Sequence, residues 1–294
     1  MRLYLHAASV LISRGRLCLN MPKQRSLKTI PKELPLCDGP KLRMFQHHAS
    51  RIQWLERLGN DLDGTPAEGY VFRAKIKNRE YAIKVFKFHD PMSNDHFWEP
   101  LIGEDTPLET VSYYTDPFYA ECRAYGRIHD AVKRGLLTDV ALPCHGFVFL
   151  REQDEDILQD RNIDLELGNV DLQYQRSTVG GCRARAIVKD LASADTGVDG
   201  KSLQRVLLGI IALNRQRIYN MDIRLDNYRD GQIVDFGSSW TEPHILLDAL
   251  DSEAAYDSRL ADRTMFDEMV EDEEIPNPRK LKAVHPMKLR SQRV

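Results

Sequence analysis

Five side chains of this 294-residue sequence have the types and order needed to hold a polyphosphate and a divalent cation. Lys84 ends the run Tyr81-Ala82-Ile83-Lys84, and Glu121 follows on a stretch with helical spacing. An ammonium oriented by a carboxylate is suited to the α- and β-phosphates of ATP. Asp222 and Asn227 stand five residues apart, and Asp235 opens the triplet Asp235-Phe236-Gly237 eight residues later. Magnesium takes hard oxygen ligands, so Asn227 and Asp235 are the expected metal ligands. Asp222 would stand beside an acceptor hydroxyl as base or orienting group, and Arg224, between it and Asn227, joins the catalytic set. Taken singly, Lys84 reads as an exposed strand residue, Glu121 as a solvated helix residue and Asp222 as a turn former. The five together, in this order, predict ATP- and Mg2+-dependent chemistry.

The loop that should cover the phosphates is the weakest part. Gly64 and Gly69 fall where a glycine-rich loop before Val71 needs them, but Pro66 takes the middle position. Proline offers no N–H to a phosphate and cannot adopt positive φ. Glu68 adds a negative charge where phosphates should lie. Gly64, Gly69, Val71, Ala82, Lys84 and Asp190 are assigned to nucleotide binding, with slow turnover expected.

Those residues must be positioned by a mixed set of elements. Residues 70–76 alternate as a strand, 77–79 turn, and 81–88 run on as a second strand. Phe118, Cys122, Tyr125 and His129 carry a helix over 117–129. Strands follow at 144–150 and 184–188, and the clearest helix covers 202–219, capped by Ser202. Ile223 to Trp240 reads as two short apolar pieces about an Asp-Gly turn, and 256–270 as one amphipathic helix. Residues 89–115 are polar and proline-punctuated, and 151–180 form an acid-rich loop.

With this order in view, the chain resembles the protein-kinase-like superfamily. More narrowly, it resembles the divergent kinase-fold subunits of the fungal inner kinetochore. That narrower resemblance is carried by Asp116 through Arg127, Pro143 through Phe147, Ile187 through Leu191, and Asp222 through Thr241 with Pro243 and His244. It implies an α+β, two-lobed fold with a mostly antiparallel small lobe and a truncated, mainly helical large lobe. The expected organisation is a basic leader (1–45), a small lobe (46–190) with insertions at 89–115 and 151–180, a truncated large lobe (191–275) and a basic tail (276–294). The resemblance also implies a nuclear, centromere-associated place and kinetochore subunits as partners. It does not by itself establish catalysis. Asn220 and Met221 stand where kinases carry His-Arg, and no Ala-Pro-Glu triplet follows Gly237. A non-catalytic scaffold of the same fold is the competing expectation.

Composition closes off other classes. Forty-one Lys and Arg against 44 Asp and Glu give a formal charge of −3, which excludes polyanion binding by bulk charge and leaves nucleic-acid contact to the basic termini. No run approaches the length of a membrane span. Five scattered cysteines without CxxC spacing argue against a disulfide scaffold or a zinc cluster. His47-His48, and His89 with Asp90, Asp95 and His96, match no metal-ligand spacing. Residues 1–32 are basic and free of acids, so a mitochondrial presequence, a plain leader or a start at Met21 all fit.

Overall fold

The computed structural model describes residues 34–35, 38–59, 68–91, 98–165 and 183–284. Gly64, Pro66, the leader through residue 33, residues 166–182 and the tail from 285 lie outside them. The described residues all fall in the unit Pro31–Val294. Its small lobe is a five-stranded sheet of β1 (Ile52–Leu58), β2 (Gly69–Ile76), β3 (Arg79–Phe86), β4 (Cys144–Phe149) and β5 (Arg185–Lys189). The order is β1-β2-β3-β5-β4, and every neighbouring pair is antiparallel. The expected strand pair around 77–79 is therefore β2 and β3.

Register decides what the sheet presents. Val71 lies opposite Lys84, Lys84 opposite Ile187, and Ala82 opposite Lys189. Directly paired residues share a face, so these side chains point the same way as Phe86. The other face carries Tyr70, Phe72, Ile83, Val85, Val148 and Val188, and it is also buried. Trp54 of β1 lies on the same face, which is covered by Phe45 and by Leu158 of α4 (Glu152–Asp160). With both faces covered, β5 is buried along its whole length.

The helix that meets the first face is α3 (Pro117–Lys133). Asp116 caps it by accepting from the Phe118 amide at 2.9 Å, and Pro117 sits in its first turn. The same Asp116 accepts from buried Arg185 at 2.5 Å, tying the helix start to β5. Phe118 packs edge-on against Phe86 and Phe147, at 5.5 and 6.3 Å between ring centres.

Residues 38–45, read from sequence as part of the leader, are packed. Leu42 and Phe45 are buried, and the Phe45 amide donates to the Phe147 carbonyl at 2.8 Å. This segment crosses α3 at Gly126, where a Cβ would stand 2.4 Å from the Pro40 carbonyl oxygen. Elsewhere in a helix, Gly→Ala gains about 1 kcal/mol. Here Gly126→Ala is expected to lose about 1–3 kcal/mol, because the crossing backbone must move. A denaturant midpoint that rises instead of falling would show that the crossing is not load-sensitive at this point.

The large lobe contains α5 (Leu203–Arg215), α6 (Ile245–Ala249) and α7 (Ser252–Asp272). Two short ladders lie among them: β6 (Ile218–Tyr219) with β9 (Trp240–Thr241), and β7 (Tyr228–Arg229) with β8 (Gln232–Ile233). The turn between β7 and β8 is the expected Asp230-Gly231, both with positive φ. Val206, Leu207, Ile210 and Leu213 of α5 join Phe266 and Met269 of α7 in one core with Phe118, Tyr125 and Ile187. That core is continuous from the sheet to the last helix.

Two local expectations are corrected, and a third segment gains detail. Ser202 makes no side-chain cap, since its backbone is already helical; Asp199 instead accepts from the amides of Lys201 and Ser202 at 3.0 and 2.8 Å. Residues 152–160 form α4 rather than loop, because Asp154 and Leu158 turn inward on one side of a short helix. The insertion at 89–115 carries α1 (Glu99–Ile102) and α2 (Leu108–Thr115), with Trp98 and Val111 buried against Leu246 of α6.

Candidate active site

Lys84 stands where the sheet, α3 and the Asp235-Phe236-Gly237 turn meet. Its Nζ lies 2.6 and 2.8 Å from the two Asp235 oxygens, 3.0 Å from Glu68 Oε2 and 3.2 Å from Glu121 Oε2. Its side chain is 5% exposed. Burial alone would pull the ammonium down, but Asp235, Glu121 and Glu68 outweigh it and hold the pKa well above the ordinary lysine value. Asp235 behaves as the mirror case. Burial pushes its carboxyl up, yet Lys84 and then Lys189 hold it well below the usual carboxylate range.

Glu121 is fully buried and shared. One oxygen faces Lys84, and the other accepts from Lys189 of β5, whose Nζ also donates to the Val234 carbonyl at 2.6 Å. One turn further along α3, Tyr125 packs edge-on against Phe236, with ring centres 5.2 Å apart. Phe236 is thereby drawn under the helix. The Asp235 carboxylate is left facing Lys84, with Oδ1 also accepting from the Gly237 amide at 2.8 Å.

The second group is the loop from Asn220 to Asn227. Asn227 Nδ2 donates to the Asp222 carbonyl at 2.9 Å and to its carboxylate at 2.8 Å, fixing Asp222. Arg224 is largely exposed and lies 3.4 Å from Asp222. Asn220 joins the two groups, donating to the Asp235 carbonyl at 2.6 Å and accepting from the Asp222 amide at 3.1 Å. Asn220 thus supplies both a donor and an acceptor.

The remaining nucleotide-binding expectations divide. Val71 and Ala82 share the Lys84 face of the sheet, and Gly69 pairs with Phe86 at the start of β2. Asp190 is engaged elsewhere: its carboxylate accepts from His145 at 2.7 Å and from Arg79, and its amide donates to the Pro143 carbonyl at 2.9 Å. Gly64 lies outside the described residues.

Two residues at this site escaped the sequence reading as site residues. Lys189 closes β5, whose residues between Arg185 and Lys189 are apolar, and a lysine ending such a buried run was the available signal. Asp262 of α7 is 1% exposed and accepts from the amides of Asn220 and Met221 at 2.9 and 2.8 Å, and from Asn214 Nδ2 at 2.8 Å. It falls on the helix stripe of Ala255, Phe266 and Met269, where an acid is out of place unless it has buried partners. Those amides belong to a loop in which Met221 takes φ +63°.

Among the described residues no cluster of three His, Cys, Asp or Glu side chains forms a metal cage. Magnesium rarely needs one, being held by one or two protein oxygens, substrate phosphates and water. Asp235 uses its oxygens on Lys84 and Gly237 but remains 31% exposed, and a carboxylate has about four lone-pair sites. The donor chemistry of Asp235 and Asn227 therefore fits Mg2+.

A family model described as kinetochore Sim4 complex subunit FTA2 matches residues 30–240. The chain belongs to the FTA2 family. The matched region takes in the whole sheet, α3 and the Asp222–Gly237 segment, and ends before Asp262. No curated protein matches the sequence. Among solved structures, vaccinia related kinase 3 is similar with a TM-score of 0.33 and 9% identity, over 70% of this chain and 53% of that one. The chain spans about half the length of that protein, and so loose an overlap transfers no role between them. No helix among the described residues is long and apolar enough to cross a membrane.

Proposed function

We propose that this FTA2-family chain is a nuclear kinetochore subunit whose cleft binds ATP with Mg2+ and transfers phosphate to Ser or Thr hydroxyls slowly. The family description supports the kinetochore place and protein partners, and it lends nothing to a mitochondrial destination. The observation that carries the nucleotide reading is buried Lys84 held between Glu121 and Asp235. A buried ionic group is a poor device for stability alone, since apolar residues of similar size serve as well or better. Asn227 and Asp235 would hold the metal, which would offset phosphate charge. Asp222, oriented by Asn227, would face the acceptor hydroxyl. In the test, ATP should raise the melting temperature, more so with Mg2+. Asp235→Asn is expected to weaken the Mg2+-dependent part about tenfold or more, because the neutral amide no longer offsets the cation. Asp222→Ala should lower phosphate transfer and leave ATP affinity nearly intact.

Two observations favour a second reading, a kinase-shaped scaffold for assembly. Glu68 occupies the Lys84 corner, and Met221 replaces the loop arginine. Under that reading ATP moves the melting temperature neither with nor without Mg2+.

A further inference from the structure

Resting on the nucleotide-binding reading above, we infer that Glu68 is the cleft's own anion: its carboxylate holds the Lys84 position that a phosphate needs, and a polyphosphate binds by displacing it. The sequence marks Glu68 only as a repelling charge. The structure gives it a definite seat. Its carbonyl accepts from the Lys87 amide at 2.9 Å, and the next residue, Gly69, pairs with Phe86, so its backbone is anchored at the root of the loop. Its Oε2 lies 3.0 Å from Lys84 Nζ, and Ser238 Oγ reaches its Oε1 at 3.4 Å. The carboxylate rests on Gly237, where a Cβ would stand 1.9 Å from Oε2.

An ammonium has three N–H donors. Both Asp235 oxygens and Glu68 Oε2 accept from it, and Glu121 Oε2 adds a fourth negative contact at 3.2 Å, so an incoming phosphate must replace one carboxylate. Glu121 is fully buried and also holds Lys189. Asp235 is tied to the Gly237 amide, and its charged form is strongly favoured there. Glu68 has the long serine contact and is the one whose carboxyl is raised, because burial outweighs the help of Lys84. It is the carboxylate that yields. The ligand class is a di- or triphosphate, free or as part of a nucleotide.

Calorimetry on the full chain at pH 7.5, with MgATP and with inorganic tripolyphosphate, tests the displacement for wild type, Glu68→Gln and Glu68→Asp. Both variants should bind about tenfold tighter than wild type at pH 7.5, the aspartate because it keeps the charge but falls short of Lys84. A gain with tripolyphosphate alone places the ligand outside nucleotides, and a gain with both keeps ATP. Binding of equal strength in all three proteins overturns the inference while leaving the nucleotide reading intact. If none binds, the nucleotide reading falls, and hydrogen exchange decides the contact. Faster exchange of the Gly237 and Ser238 amides in both variants upholds Glu68 as the clasp on that turn, and unchanged exchange overturns it.

Discussion

Asp262→Ala is expected to be among the most destabilising single substitutions in this chain, at about 3–5 kcal/mol, because it strips an acceptor from three buried donors at once. Those donors are the amides of Asn220 and Met221 and the side chain of Asn214. With the carboxylate gone, Met221 has less reason to hold φ +63°, and the loop carrying Asp222 loses its reference point. The loss should therefore appear twice. The urea midpoint falls, and ATP-dependent turnover, where present, falls beyond what the lower stability explains. Asp262→Asn should lie between, since its amide keeps one oxygen but turns a donor toward donors. A variant that melts with wild type would mean the loop is held from elsewhere.

Glu121 offers an effect of similar size with a different signature. Glu121→Ala leaves Lys84 and Lys189 buried together with their common counter-charge removed, and breaking such a pair costs about 3–5 kcal/mol. Replacing Glu121 with Leu and Lys189 with Met together removes both members of the buried pair and should recover much of that stability. Nucleotide affinity should not return with it, because Lys84 no longer has Glu121 to orient it. Chemical denaturation and ATP titration on the two variants separate the roles. If stability and affinity recover together, Glu121 matters only as packing.

What could be read from the sequence was what lies close along the chain. The β2–β3 pair, α3, α5 and the Asp230-Gly231 turn follow from alternation, helical spacing and turn chemistry over a few residues. The approach of Lys84 to Glu121 followed because each sits on a strongly patterned element, whereas the direct contact of Lys84 with Asp235, which lies on a turn, was not foreseen. Partners chosen across the fold were harder. Asp262 caps a loop some forty residues earlier, and Glu68 finds Lys84 through strand register rather than through its own neighbours. Residues 89–115 look polar because their buried side chains, Trp98 and Val111, are few and widely spaced. Their helices depend on Leu246, and no local pattern announces a contact that distant.

That last contact also bears on how the molecule would take a load. The chain leaves the sheet after β3, runs through α1 and α2, and is pinned on α6 before returning as α3. The Trp98–Val111–Leu246 cluster is thus a strut between the strands and the segment beyond the Asp235 turn. Glu68 fastens the strands to that turn from another point, on Ser238. The oily strut adds to the continuous core and to the Lys84–Asp235 ion pair that already join the strands to the Asp235 turn. A competing anion at Lys84 would slacken the ionic link and leave the apolar ones tight.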